Sequence, residues 1–286
     1  MKKILCVFIA LFSLVSTLFS GCARTDLDII VGVDLLKYNR HGTADFGFNL
    51  NLITPSSNTS IEFVAFHGEN THAVSTQFRD DTFDSLKSMK HNGYYIRLLG
   101  FVCHSNAEKV IIKKVTLRID GEEKSFTFST PIEHSLKQAD SEPFVQFRSH
   151  TSLISTRSYE TTRFFFEYHT ETAVTITGFS FSDFLYVKEA TVVVNGETRG
   201  QLADVLPLTV DAGSHIALQR CYLGFKDNGT STSYDSVYCD AQLSYSVSGS
   251  TIVRSVTTGL VSQSVSNNDD ARNVIDLMRN NSASKA

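Results

Sequence analysis

Between Ala44 and Leu52 the chain alternates without a break: Ala44, Phe46, Phe48, Leu50 and Leu52 fall on one face, Asp45, Gly47, Asn49 and Asn51 on the other. A period of two held over such a run is the pattern of a half-buried strand. Similar signals predict strands over Ile61 to Phe66, Tyr94 to His104, Lys109 to Asp120 and Ser125 to Ser129. A polar stretch from Pro131 to Pro143 comes next, holding two of the four prolines. Beyond it strand signals return at Arg163 to Tyr168, Ala173 to Phe181, Phe184 to Val194, Val205 to Val210, His215 to Phe225, Ser236 to Val247 and Thr251 to Leu260. Short strands separated by turn residues are the sign of β-sandwiches. The expected fold is all-β: two tandem β-sandwich (immunoglobulin-like) domains over 27–135 and 144–262, divided in the Pro131 to Pro143 stretch.

Two segments depart from the strand pattern. Asp80 to Asn92 reads as a short internal helix, with Asp80, Asp81 and Thr82 able to cap its start and Asn92-Gly93 to stop it. The polar tail 263–286 contains Ala271, Val274, Ile275 and Met278 on one helical face, preceded by Asp269 and Asp270, which suit the helix dipole. A helix of about ten residues is marginal alone, so this one should dock on the second domain or on a partner. A weak internal echo places Lys113, Thr116 and Asp120-Gly121-Glu122 against Lys188, Thr191 and Asn195-Gly196-Glu197 at a constant offset of 75 residues. It reads either as duplication or as two hairpins with the same favoured Asx-Gly turn.

The first residues belong to a different chemistry. Lys2-Lys3 precede an apolar stretch from Ile4 to Phe19, too short to cross a bilayer, which ends in Phe19-Ser20-Gly21-Cys22. This ending resembles the lipobox of bacterial lipoproteins, in which small residues precede a Cys that receives diacylglycerol before cleavage. The resemblance covers about the first 22 residues. It implies a signal peptide over 1–21, lipid attachment at Cys22, a short lipid-anchored N-terminus over 22–26 and an extracytoplasmic location on a bacterial membrane. Acyl chains such as palmitate contribute about 0.8 kcal/mol per buried methylene, so the membrane is the expected partner without any spanning helix.

Loss of Lys2 and Lys3 with the signal peptide takes the net charge from -4 to about -6. With no basic run beyond Lys113-Lys114, nucleic acid is not an expected partner. Of the five cysteines, Cys103 reads as a core residue, while Cys221 and Cys239 fall on the apolar faces of two strands. If those strands pair across the loop Lys226 to Tyr234, the two residues come opposite one another. A disulfide between Cys221 and Cys239 is then expected, the alternative being two buried thiols used as small apolar residues.

The nine histidines form no ligand motif, His67 and His72 beside Glu69 coming nearest, and the expectation is no metal and no cofactor. Asp80, Asp81 and Asp84 lack the spacing of a calcium loop. No nucleophile motif and no glycine-rich phosphate loop is present, so no catalytic residue is assigned. The aromatic run Phe164-Phe165-Phe166 and the group Phe179, Phe181, Phe184 and Tyr186 are dense enough to be either doubly covered or partly a contact patch. The favoured reading is a non-catalytic binding or structural module of the cell envelope, with an envelope protein or polysaccharide as partner. The competing one is a lipid-anchored hydrolase of envelope or extracellular polymers, which a dispersed carboxylate pair would permit without any motif.

Overall fold

The computed structural model describes residues 28–82, 84–136, 144–153, 163–181, 185–225, 236–256 and 268–283. The signal segment, Cys22, Phe184 and the loop Lys226 to Tyr234 lie outside the described residues. The chain forms an all-β body of two sandwiches. The first sheet holds β1 (Ile30–Val31), β3 (Asp45–Thr54), β6 (Tyr95–His104) and β5 (Ser75–Asp80), in that spatial order. The second holds β4 (Ile61–Glu69), β7 (Lys109–Ile119), β8 (Glu122–Leu136), β2 (Leu36–Gly42) and, at its edge, β16 (Ser236–Cys239). The order β1-β3-β6-β5 against β4-β7-β8 is that of an immunoglobulin domain, A-B-E-D against C-F-G. The alternation that predicted β3 holds: Phe46, Phe48, Leu50 and Leu52 are buried, and Phe48 stacks on Phe101 of β6 at 5.0 Å.

The second sandwich packs β13 (Glu197–Gln201), β12 (Leu185–Val194), β15 (His215–Phe225), β10 (Arg163–Thr170) and β9 (Val145–Leu153) against β14 (Leu208–Val210), β11 (Val174–Phe181), β17 (Ala241–Val247) and β18 (Ser250–Val256). Phe166, Tyr168, Ile176, Phe179, Leu218 and Tyr245 are among the residues of its core. All its pairings are antiparallel. Its strand order differs from that of the first sandwich.

Several sequence expectations are corrected. The helix expected over Asp80 to Asn92 is reduced to α1 (Asp84–Lys87). Asp80 pairs with Leu99 as the end of β5, and a turn with positive φ at Asn92 and Gly93 claims the other end. The strand expected to stop at Ser129 continues to Leu136 because Ile132 and His134 are buried. Pro131 is tolerated there since the pairing jumps from Lys114↔Thr127 to Ile112↔Ile132, leaving it in a bulge where no ladder hydrogen bond is forfeited. Val205 to Val210 divides into the short α2 (Leu202–Val205) and β14. The run Ser236 to Val247 is not one strand. It breaks at Asp240, β16 lying parallel to β2 in the first sandwich and β17 antiparallel to β11 in the second.

The C-terminal helix α3 (Asn268–Ala283) buries the four residues its periodicity singled out, but against the first sandwich. Its partners are Leu35, Ile53, Leu86, Met89, Tyr94 and Ile96, on the outer side of the β1-β3-β6-β5 sheet. Polar contacts fix it: Asp276 lies 3.0 Å from His91 Nε2 and accepts from Asn92 Nδ2 at 2.8 Å. No helix among the described residues is long and apolar enough to cross a membrane.

The echo at an offset of 75 resolves into a shared local device. Asp120 and Asn195 each take φ near 50° before a glycine of positive φ, the turn expected of a two-residue hairpin. Asp120 Oδ1 accepts from Ser60 N–H and Asn195 Oδ1 from His215 N–H, both at 2.8 Å. The strand so clasped precedes the hairpin in one case and comes after it in the other.

Candidate functional site

Among the described residues, the second sandwich is open along one side. β14 pairs with β11 only from Val174 to Ile176, so Gly178 to Phe181 have no strand partner on that side among the described residues. β13 likewise pairs with β12 only from Thr191 to Val194, so Leu185 to Ala190 have no strand partner on that side among the described residues. Between the two half-edges lies a cavity of ≈ 690 Å³, bounded at one end by Leu202 and Leu206, where the chain crosses through α2 from one sheet to the other. Phe179, Phe181 and Leu185 supply its apolar floor. Lys188 and Glu189 stand on the β12 wall, and Gln201 Nε2 is 3.5 Å from Glu189 Oε1. The volume is that of an ordinary ligand site, and the walls combine apolar side chains with a few polar groups and strand backbone.

Part of the suspected aromatic patch is core. Phe166, Phe179 and Phe181 are buried and mutually packed, with ring centroids 5.2 to 5.6 Å apart. Phe165 is half-buried and Tyr186 is 43% exposed. The register partner of Tyr186 is Gly224, and a Cβ there would lie 2.5 Å from the Tyr186 ring, so the ring rests on the bare glycine backbone.

A second polar cluster sits where the sandwiches meet. Asp240, 1% exposed, accepts from His41 N–H at 2.5 Å, lies 3.0 Å from His41 Nδ1 and is 3.9 Å from Arg40 Nε. Burial pushes its carboxyl above the usual carboxylate range, against the hydrogen bonds from His41 and the charges of His41 and Arg40. Nearby, the buried His134 stacks on Phe46 at 4.2 Å and places Nε2 2.9 Å from the Thr43 carbonyl oxygen. Burial holds this imidazole below its ordinary value, the Thr43 contact opposing the shift. Tyr238 of β16 reaches across the sandwich to accept from Asn49 N–H at 3.1 Å. These residues are spread from Arg40 to Asp240, and no local spacing announces them.

The expected disulfide is not formed in this structure. Cys221 and Cys239 are buried thiols on β15 and β16, which belong to sheets of different sandwiches and so do not face each other across a hairpin. Burial pushes the Cys221 thiol up to about 12 and Cys103 to about 11.

His67 bonds Thr116 at 2.8 Å and Glu69 pairs with Lys113 at 3.0 Å. Asp80 is engaged by Arg97 and Thr82, and Asp84 by Lys87. Among the described residues no group of three His, Cys, Asp or Glu side chains is arranged to hold a metal ion.

Comparison with known protein families finds no match, and comparison with characterised proteins finds no relative.

Proposed function

We propose that the chain is a lipid-anchored extracytoplasmic bacterial lipoprotein acting as a non-catalytic binding or structural module of the cell envelope. The first sandwich serves as a stalk and the second presents the groove to an envelope protein or polymer. The observation that carries this reading is positional. Cys22 stands six residues before Asp28, and the chain enters the first sandwich beside the Thr54 end of β3, where Ile30 pairs with Ile53. The junction at Asp240 lies by His41, close to the opposite end of β3 at Asp45. A ten-residue strand spans roughly 30 Å, so an anchor at Cys22 would hold the second sandwich about that far from the membrane surface.

Fractionation of cells carrying Cys22→Ala tests the anchor. The variant is expected to leave the membrane fraction or to persist as the uncleaved precursor, while the parent chain stays membrane-bound at mature size. Identical size and partition for both would defeat the proposal.

A further inference from the structure

We propose that the groove of the second sandwich receives an added β-strand, an extended polypeptide segment of a partner protein, without net charge, that pairs with Gly178 to Phe181 of β11. This rests on the binding reading above and names its partner class.

Among the described residues the backbone of these four is engaged on one side only, through the register Gly178↔Ser244 to Phe181↔Ala241. On the other side the ladder with β14 stops at Ile176↔Leu208. The preceding residue, Pro207, has no N–H to continue that ladder, and the chain before it is α2 rather than strand. Beyond that point β11 borders the ≈ 690 Å³ cavity, so the slot continues an existing strand interface end to end. An open edge is a template for another strand, whose main-chain hydrogen bonds supply affinity while alternate side chains enter pockets.

The opposite half-edge, on β12, is a poor template. Its register slips between Val187 and Glu189 and again between Glu189 and Thr191, and it carries Lys188 and Glu189. Bulges and edge charges are devices that prevent pairing. Gly178, Phe179, Ser180 and Phe181 carry no charge, and the one irregularity on β11 lies before Gly178. The two charges on the rim are of opposite sign, which matches a segment with no net charge. Its apolar side chains would meet Phe179, Phe181 and Leu206, and its polar ones would face solvent.

The test uses the detergent-solubilised full chain and a fluorescein-labelled Thr-Val-Thr-Val-Thr-Val peptide, monitored by anisotropy and by amide hydrogen exchange. The expected result is saturable binding with slowed exchange confined to the groove-facing amides of 178 to 181. A copy of the peptide N-methylated on its β11-facing amides should bind at least about tenfold more weakly, as should the unmodified peptide to Ser180→Lys, whose side chain is solvent-exposed in the parent. Binding that survives N-methylation, or protection elsewhere in the molecule, overturns the inference. If envelope oligosaccharides protect the groove and the peptide does not, the binding reading stands and strand addition is refuted. Binding of neither refutes both.

Discussion

The backbone N–H of His41 donates to the carboxylate of Asp240 across 199 residues of sequence. This contact lies at the one residue separating β16 from β17, where the chain passes from one sandwich to the other. Removing the carboxylate leaves the part-buried His41 N–H without its acceptor, at a cost of about 1 to 3 kcal/mol. Asp240→Ala is therefore expected to lower chemical-denaturation stability by that order. Asp240→Asn, which keeps an acceptor for His41 N–H, should cost clearly less. Because the folded carboxyl titrates above its unfolded value, its ionisation opposes folding as pH rises from the unfolded value through the folded one. The Asn variant should lack that decline in a melting series through the acid range.

His134 gives a dependence of opposite sign. Its folded value lies below the ordinary 6.5, so the unfolded chain takes up the proton first and stability falls as pH drops below 6.5 toward the folded value. His134→Phe retains a ring against Phe46 and cannot be protonated. It should flatten this part of the profile, and nuclear magnetic resonance of the parent should show the His134 imidazole titrating below 6.5.

The α3 cradle makes a claim about stability. Ile275 is fully buried against the first sandwich, and truncating such a side chain to Ala costs about 2 to 5 kcal/mol. Ile275→Ala should therefore lower the melting temperature by several degrees. His91→Ala removes a partly exposed pair and should cost under about 1 kcal/mol. Equal losses in the two variants would contradict the packing described.

Thiol labelling addresses the cysteines. Under denaturing conditions without reductant, Cys103, Cys221 and Cys239 should all take up alkylating reagent, and in the native state all should react slowly, being buried. Mass spectrometry showing only Cys103 modified would establish the disulfide and refute the pair of buried thiols.

Two glycines should respond differently to Ala. At Gly68, with φ of 155°, a Cβ would collide with the Ile111 carbonyl oxygen, which cannot move without breaking the β4-β7 ladder. At Gly224 the obstacle is the Tyr186 ring, which is partly exposed and can swing outward. Gly68→Ala should impair folding. Gly224→Ala should fold and raise the solvent accessibility of Tyr186, readable in tyrosine emission because the chain has no Trp.

What was legible in the sequence is what local periodicity encodes. β3 shows its face because Phe46, Phe48, Leu50 and Leu52 meet one core, and α3 shows its own through Ala271, Val274, Ile275 and Met278. The surface α3 docks on was not legible, because the cradle is assembled from Leu35, Ile53, Leu86 and Ile96, distant in sequence. The break at Asp240 was hidden for a related reason: β16 and β17 alternate in nearly unbroken phase although they serve different sheets. Of the groove only the aromatic lining, Phe179, Phe181 and Tyr186, was legible, as a dense group and not as a slot. It arises where β13 and β14 are shorter than the strands they flank, and pairing length is not written in the residues of β11.

The placement of β16 and α3 also dictates an order of maturation. Synthesis delivers the strands of the first sandwich by Leu136, yet the edge beside β2 is closed only by residues 236 to 239 and the outer apolar face only by 268 to 283. Residues 236 to 256 complete sheets of both sandwiches within one short window of chain. The earliest-made part of the molecule is thus the last to be finished, and a nascent chain halted before Asn268 should expose its N-terminal half, rather than its newest residues, to proteolysis.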